Sequence, residues 1–140
     1  MSVTYLLVKV DGSVSRVEIE DGEFNNRVHS LIDCKYYELV SIKGGFYLVV
    51  DECGKILAEP KPVNYKCSML YPGTPHGDPI VGDVVIGKIG YDFGEPDMTG
   101  LDEEELKFLE RFFESVDKIR SRLNFDSTGK TAENNLKEKE

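Results

Sequence analysis

The stretch "TYLLVKVDGSVSRVEIE" constrains the fold of this chain more than any other. Two runs rich in β-branched and aromatic residues flank Asp11-Gly12, and Asp-Gly supplies the positive φ values of a tight hairpin turn. In the second run Val17 and Ile19 alternate with Arg16, Glu18 and Glu20. That period of two is expected of a strand with one wet face.

Other segments extend the pattern. "YYELVSI" and "FYLVVDE" surround Lys43-Gly44-Gly45 and read as a second hairpin. "DECGKIL" predicts a turn at Glu52-Cys53-Gly54 and a short strand from Lys55 to Leu57. "PIVGDVVIGKI" is expected to be the last strand, and a central one, because its apolar residues run nearly unbroken. Phe24, Val28, Leu31 and Ile32 in "GEFNNRVHSLI" recur at helical spacing and predict a short helix, marginal on its own. From Glu59 to Pro79 five prolines and little periodicity predict a long irregular loop, pinned by Tyr65, Met69 and Leu70. Loops of this length inside a compact domain are often functional.

The C-terminal helix is well signalled. Asp102 and Glu105 form a capping box, and Leu101 can staple to Leu106. Leu106, Leu109, Phe113 and Val116 follow one face, widened by Phe112, Ile119 and Leu123. The sum is an α+β domain over residues 1–125: an antiparallel β-sheet built from hairpins, one short helix, and one long amphipathic helix packed on a sheet face. Residues 126–140 read as a disordered polar tail.

At 140 residues, one domain with a real core is expected. No apolar run is long enough to cross a bilayer and no secretion pattern opens the chain, which predicts a cytoplasmic protein. Cys34, Cys53 and Cys67 are widely spaced, favouring free thiols in a reducing compartment over a zinc site completed by His76. The net charge is −9, and residues 92–117 carry ten acids against Lys107 and Arg111. Without a basic stripe, direct nucleic-acid binding is not expected. The acids of Asp102–Glu105 are read as helix-dipole partners, matched by Lys118, Arg120 and Arg122, rather than as a metal site or a DNA mimic.

Candidate chemistry is sparse. "GDVVIGKI" places Gly82, Gly87 and Lys88 in phosphate-loop register, but Ile89 stands where Ser or Thr should be. Its spacers favour a strand, whereas a phosphate loop must open a helix. The glycines instead fit a buried strand that another element crosses closely, expected to be the C-terminal helix. "STGKT" at 127–131 fails for lack of the first glycine. His76, near Asp78, could act as a general base, but no nucleophile partner is evident. Tyr65, Tyr71 and Tyr91 are expected in loops, where they would suit a binding surface.

Three stretches carry a family resemblance: "VEIEDGEFNNRVHSLIDCKYYELVSI", "FYLVVDECGKIL" and "DPIVGDVVIGKIGYDFGEPDMTGLDEEELKFLERF". Together they resemble the family catalogued as domain of unknown function 3846, small proteins of phages, plasmids and bacteria. The Pro60–Pro79 loop and the extension after Phe113 depart from the family pattern. The resemblance implies an accessory gene of a mobile element, in a host cytoplasm if phage-encoded, and carries over no catalytic residues.

The expected function is a non-enzymatic binding protein, a counter-defence or host-takeover factor that binds a host protein or sequesters a small signal. A second reading is a small-molecule or nucleotide binder. Its pocket would lie between the 60–79 loop, the 87–94 segment and the long helix, with Tyr65, Lys66, Tyr71, His76, Lys88 and Tyr91 as contacts. A hydrolase using His76 is the weakest reading. No cofactor, metal or membrane is expected, and a homodimer through the long helix is compatible with the sequence.

Overall fold

A computed structural model of the protein describes residues 2–56, 59–71, 79–92 and 95–128, with the side chains of 91, 92, 95, 96 and 122–128 outside that description. The fold is α+β. Its elements are β1 (Ser2–Val8), β2 (Val14–Glu20), α1 (Phe24–Leu31), β3 (Tyr37–Ser41), β4 (Phe46–Asp51), α2 (Tyr65–Leu70), β5 (Val84–Asp92), β6 (Glu95–Thr99) and α3 (Glu103–Thr128). The six strands form one antiparallel sheet in the order β2-β1-β5-β4-β3, with β6 added against β5. Residues 1–106 make one compact unit, and α3 from Lys107 onward belongs to a second.

Both expected hairpins are present. The first turn differs from the expected tight Asp-Gly form: Gly12 N–H donates to Lys9 O across Val10-Asp11, and only Gly12 has positive φ, at 95°. Asp11 keeps ordinary φ and accepts from Ser13 N–H at 2.8 Å, which holds its carboxyl below the usual range. A longer loop with glycine in the left-handed position serves a hairpin as well as a two-residue turn does.

β5 is central as expected, with Val84, Val85 and Ile86 all fully buried. Leu6 and Leu7 are adjacent on β1, point to opposite faces, and are both buried, so the middle of the sheet is covered on both sides. On one face Tyr5, Leu7, Ile19, Val49 and Val85 pack with Phe24, Val28 and Ile32. These three recur every four residues, the stripe expected from the sequence. The eight-residue α1 has no side-chain N-cap. Burial of these side chains, at roughly 1.5–3 kcal/mol each, is what holds it. On the opposite face Arg16 reaches Glu103 at 2.9 Å and Lys88 reaches Glu105 at 2.6 Å, fastening the first turn of α3. The capping box is formed, with Asp102 Oδ1 accepting from Glu105 N–H and Glu105 Oε1 from Asp102 N–H. Further along α3, Leu109, Phe113 and Val116 are buried, whereas Phe108 and Ile119 are exposed.

Four expectations need correction. The 59–79 segment is not wholly irregular, because Asn64 caps α2 by accepting from Cys67 N–H at 3.1 Å. Val63 bridges Val81. Polar caps and a six-residue helix leave too little periodicity to read. Lys55 and Ile56 lie in a turn instead of a strand, with Ile56 N–H donating to Cys53 O, and Leu57 is outside the described residues. β5 is not the last strand, since its far half turns back into β6, whose five-residue "EPDMT" has no aromatic or branched aliphatic residue to mark it as a strand. Finally, α3 continues through Asp126, Ser127 and Thr128; the rest of the expected tail lies outside the described residues.

Candidate functional site

The site is built where the sheet forks. β5 pairs with β1 only from Val84 to Ile86, opposite Val8 to Leu6. From Lys88 onward its partner on that side is β6, with Lys88 opposite Thr99 and Ile89 opposite Met98. β6 returns to β1 only past its end, where Leu101 N–H donates to Thr4 O at 2.7 Å. Gly100 makes this crossing tight, because a Cβ there would lie 2.6 Å from Thr4 O and 2.8 Å from Thr4 N. Between the diverging β1 and β6 a cavity of about 590 Å³ opens.

Three parts of the chain line it. Val3 and Tyr5 come from β1, Gly90 and Asp97–Thr99 from β5 and β6, and Glu20–Gly22, Phe24 and Asn25 from the turn into α1. Tyr5 is buried, 1% exposed, and its ring lies 5.1 Å from that of Phe24. One edge of the ring covers Gly87, where a Cβ would sit 2.8 Å from Cδ2 and Cε2 and 2.9 Å from the Met98 methyl. The glycine of "VVIGKI" is therefore required by a tyrosine and a methionine of the same sheet, and not by a crossing of the C-terminal helix. An aromatic laid over a strand glycine restores the apolar contact that the glycine lacks.

The Tyr5 hydroxyl makes no hydrogen bond to any described residue, although buried tyrosine hydroxyls usually find a partner. Burial, reinforced by the negative charges of Asp97 and Asp21, pushes its pKa up to about 12. Tyr37 donates to Asn25 Oδ1 at the cavity's edge, and burial and then Asp97 raise its pKa as well. Asp97 Oδ1 accepts from Met98 N–H at 2.9 Å. The result is a floor of aromatic and apolar groups with the Tyr5 hydroxyl unpartnered among the described residues, under an exposed acidic rim of Glu20, Asp21 and Asp97.

The residues expected from sequence fall elsewhere. Tyr65 and Lys66 lie on α2 instead of in a loop; the Tyr65 hydroxyl sits against Gly12 and Lys66 Nζ donates to Gly12 O at 2.6 Å. Tyr71 ends α2 and lines a second, smaller cavity of about 230 Å³ with Glu38, Val50, Asp51 and Ile80. Lys88 is held by Glu105, whose hydrogen bond and charge raise its pKa. Tyr91 belongs to β5 instead of a loop, and its side chain lies outside the described residues, as do His76 and Asp78. Tyr5, Asp21 and Asp97 were missed. Their one sequence signal is a tyrosine on an apolar strand face where an aliphatic residue would fill the space without a hydroxyl.

A thiol–imidazole pair does occur, with Cys34 Sγ 3.9 Å from His29 Nδ1. Burial and the charge of Asp51 push the Cys34 thiol up, so the protonated, poorly nucleophilic form dominates at neutral pH. All three cysteines are free, and Cys67 is fully buried. Among the described residues no three His, Cys, Asp or Glu side chains are grouped to hold a metal ion, and no helix is long and apolar enough to cross a membrane.

Compared with family models, curated proteins and solved structures, the chain matches none of them.

Proposed function

We propose that the protein is a non-enzymatic binder that sequesters a small molecule in the cavity at the sheet fork. The observation that carries this reading is the cavity itself. Its volume of about 590 Å³ lies within the range of roughly 300–1,000 Å³ usual for ligand sites, and its walls combine apolar surface with a few convergent polar groups. The walls come from three separate segments fixed by strand pairing and core packing, so the cavity exists before a ligand arrives. Such preorganisation lowers the entropic cost of binding.

The chemistry favours holding over turnover. Lys66 and Lys88, which a nucleotide reading would use for phosphates, are engaged with Gly12 O and Glu105. Phosphate oxygens in the cavity would instead face Glu20, Asp21 and Asp97. A small accessory factor that lowers the free concentration of a signal fits the mobile-element setting implied by the family resemblance.

The test is amide NMR of the full chain titrated with a fragment library of anionic, neutral and cationic members. Saturable shifts at Val3, Tyr5, Asn25 and Met98 are the expected result. A library that leaves those four amides unmoved would sink the reading.

A further inference from the structure

Within that reading, we infer that the cavity takes an organic cation, an amine or guanidinium on an apolar body, whose N–H groups donate to the Tyr5 hydroxyl oxygen and to the Asp97 and Asp21 carboxylates. Two independent observations point to it. The first is the Tyr5 hydroxyl: it belongs to a residue only 1% exposed, lines the cavity, and has no hydrogen-bond partner among the described residues. A buried polar group left unpaired costs about 1–3 kcal/mol, so a protein that keeps one in its core has a reason outside the core. A phenylalanine would cover Gly87 and pack on Phe24 equally well.

The direction of the hydroxyl follows from its ring. The Cδ2–Cε2 edge is fixed against Gly87 and Met98. Asp97 and Asp21, the two carboxylates whose charge the hydroxyl senses, both line the cavity. The hydroxyl therefore addresses the cavity.

The second observation is the sign and spread of charge around that hydroxyl. Glu20, Asp21 and Asp97 all line the cavity, and among the described residues no Lys, Arg or His does. An anion entering there is repelled by three carboxylates with no basic side chain among the described lining residues to offset them, whereas a cation is attracted by all three. The carboxylates are not grouped closely enough to chelate a compact metal ion. Dispersed acceptors suit a cation that is itself extended, with more than one N–H to place. Phe24, Tyr5, Val3 and Met98 supply the apolar wall for its body, and the two rings add a cation–π surface.

The test is isothermal titration of the full-length protein with tyramine, agmatine and spermidine. Two compounds of the tyramine skeleton serve as controls, the neutral alcohol tyrosol and the anionic hydroxyphenylacetate. At least one cation is expected to bind, with affinity falling as salt rises. Tyr5→Phe and Asp97→Asn are each expected to weaken that binding about tenfold, the loss of one charge-assisted hydrogen bond. Circular dichroism and thermal melting of both variants check that they remain folded.

Cation binding that survives both substitutions unchanged would place the cation elsewhere on this acidic chain and overturn the inference. Three silent cations would overturn it too. Amide shifts at Val3, Tyr5, Asn25 and Met98 with tyrosol or hydroxyphenylacetate, and none with the cations, would also overturn it while leaving the ligand-binding cavity standing. No shift at those amides with any compound, fragment library included, would remove the cavity reading as well.

Discussion

The two ends of β1 solve the same problem in opposite ways. At its C-terminal end every polar group named here is answered: Val8 O accepts from Asn64 Nδ2, and Val10 N–H donates to Asp83 Oδ1. The same Asn64 amide also donates to Gly82 O while its oxygen caps α2, and Lys66 Nζ closes on Gly12 O. At the N-terminal end β1 loses β5 as a neighbour, a cavity opens, and the Tyr5 hydroxyl finds no partner among the described residues. One end spends the polar groups named on the fold, while the other leaves a single buried hydroxyl, that of Tyr5, without a partner among the described residues. The contrast teaches where to look for function in a chain without a catalytic motif: at the polar group that the fold does not use.

Substitutions can break or sharpen this contrast. The largest effect is expected at the closed end, where Asn64→Ala orphans two buried carbonyls and removes a helix cap. Urea unfolding should report a loss of about 3 kcal/mol or more. Next is Gly87→Ala, which drives a methyl into the Tyr5 ring and the Met98 methyl and should cost about 2 kcal/mol. A change below a few tenths of a kcal/mol would mean that the ring is free to move off the glycine.

Tyr5→Phe is expected to leave stability unchanged near neutral pH or to raise it by up to about 1 kcal/mol, since no partner is orphaned. A clear loss of stability would reveal a partner for the hydroxyl and dissolve the comparison. Its pH dependence is a second reading of the same group. Because burial and Asp97 raise the folded-state pKa from 10.0 to about 12, the unfolded chain releases this proton first. Wild-type stability should then fall, relative to Tyr5→Phe, as pH climbs through that window. NMR titration of the tyrosine Cζ signal follows the ionisation directly, and Asp97→Asn should bring it down. The smallest effect is expected for Lys88→Met, at a single half-buried ion pair on the sheet's margin with α3. The Lys88 pKa is raised by Glu105, so its contribution is present below the ordinary lysine value of 10.5 and is lost as pH rises past the folded value. The difference between wild type and variant in thermal melts should also shrink in high salt.

Much of the fold was legible because it is written in local terms. Alternation in Val17–Glu20, the four-residue spacing of Phe24, Val28 and Ile32, and the Asp102/Glu105 box each declare their own element. What was not legible depends on partners distant in sequence. α2 is set by one asparagine whose contacts lie at Val8 and Gly82, and β6 exists because β5 offers it an edge. Of the glycines of "GDVVIGKI", read together as belonging to a strand, Gly87 does lie in β5 but Gly82 sits in a bend before it at φ 79°, and the residue that demands Gly87 is Tyr5, more than eighty positions away. The cavity is one step further removed. It is made by a divergence of strands, and neither strand's pattern carries any sign of it.

The position of β5 has a consequence for the order of assembly. The two hairpins β1–β2 and β3–β4 close locally, but they meet only through a strand that begins at Val84. On the ribosome they must wait as separate pieces, with β1 and β4 each exposing an open edge, until the middle of the sheet has been synthesised. The fork comes later still, because β6 must follow β5. A chain ending before Thr99 would hold both hairpins and their turns but not the cavity at the fork, so the site proposed for a ligand is among the last parts of the fold to be completed.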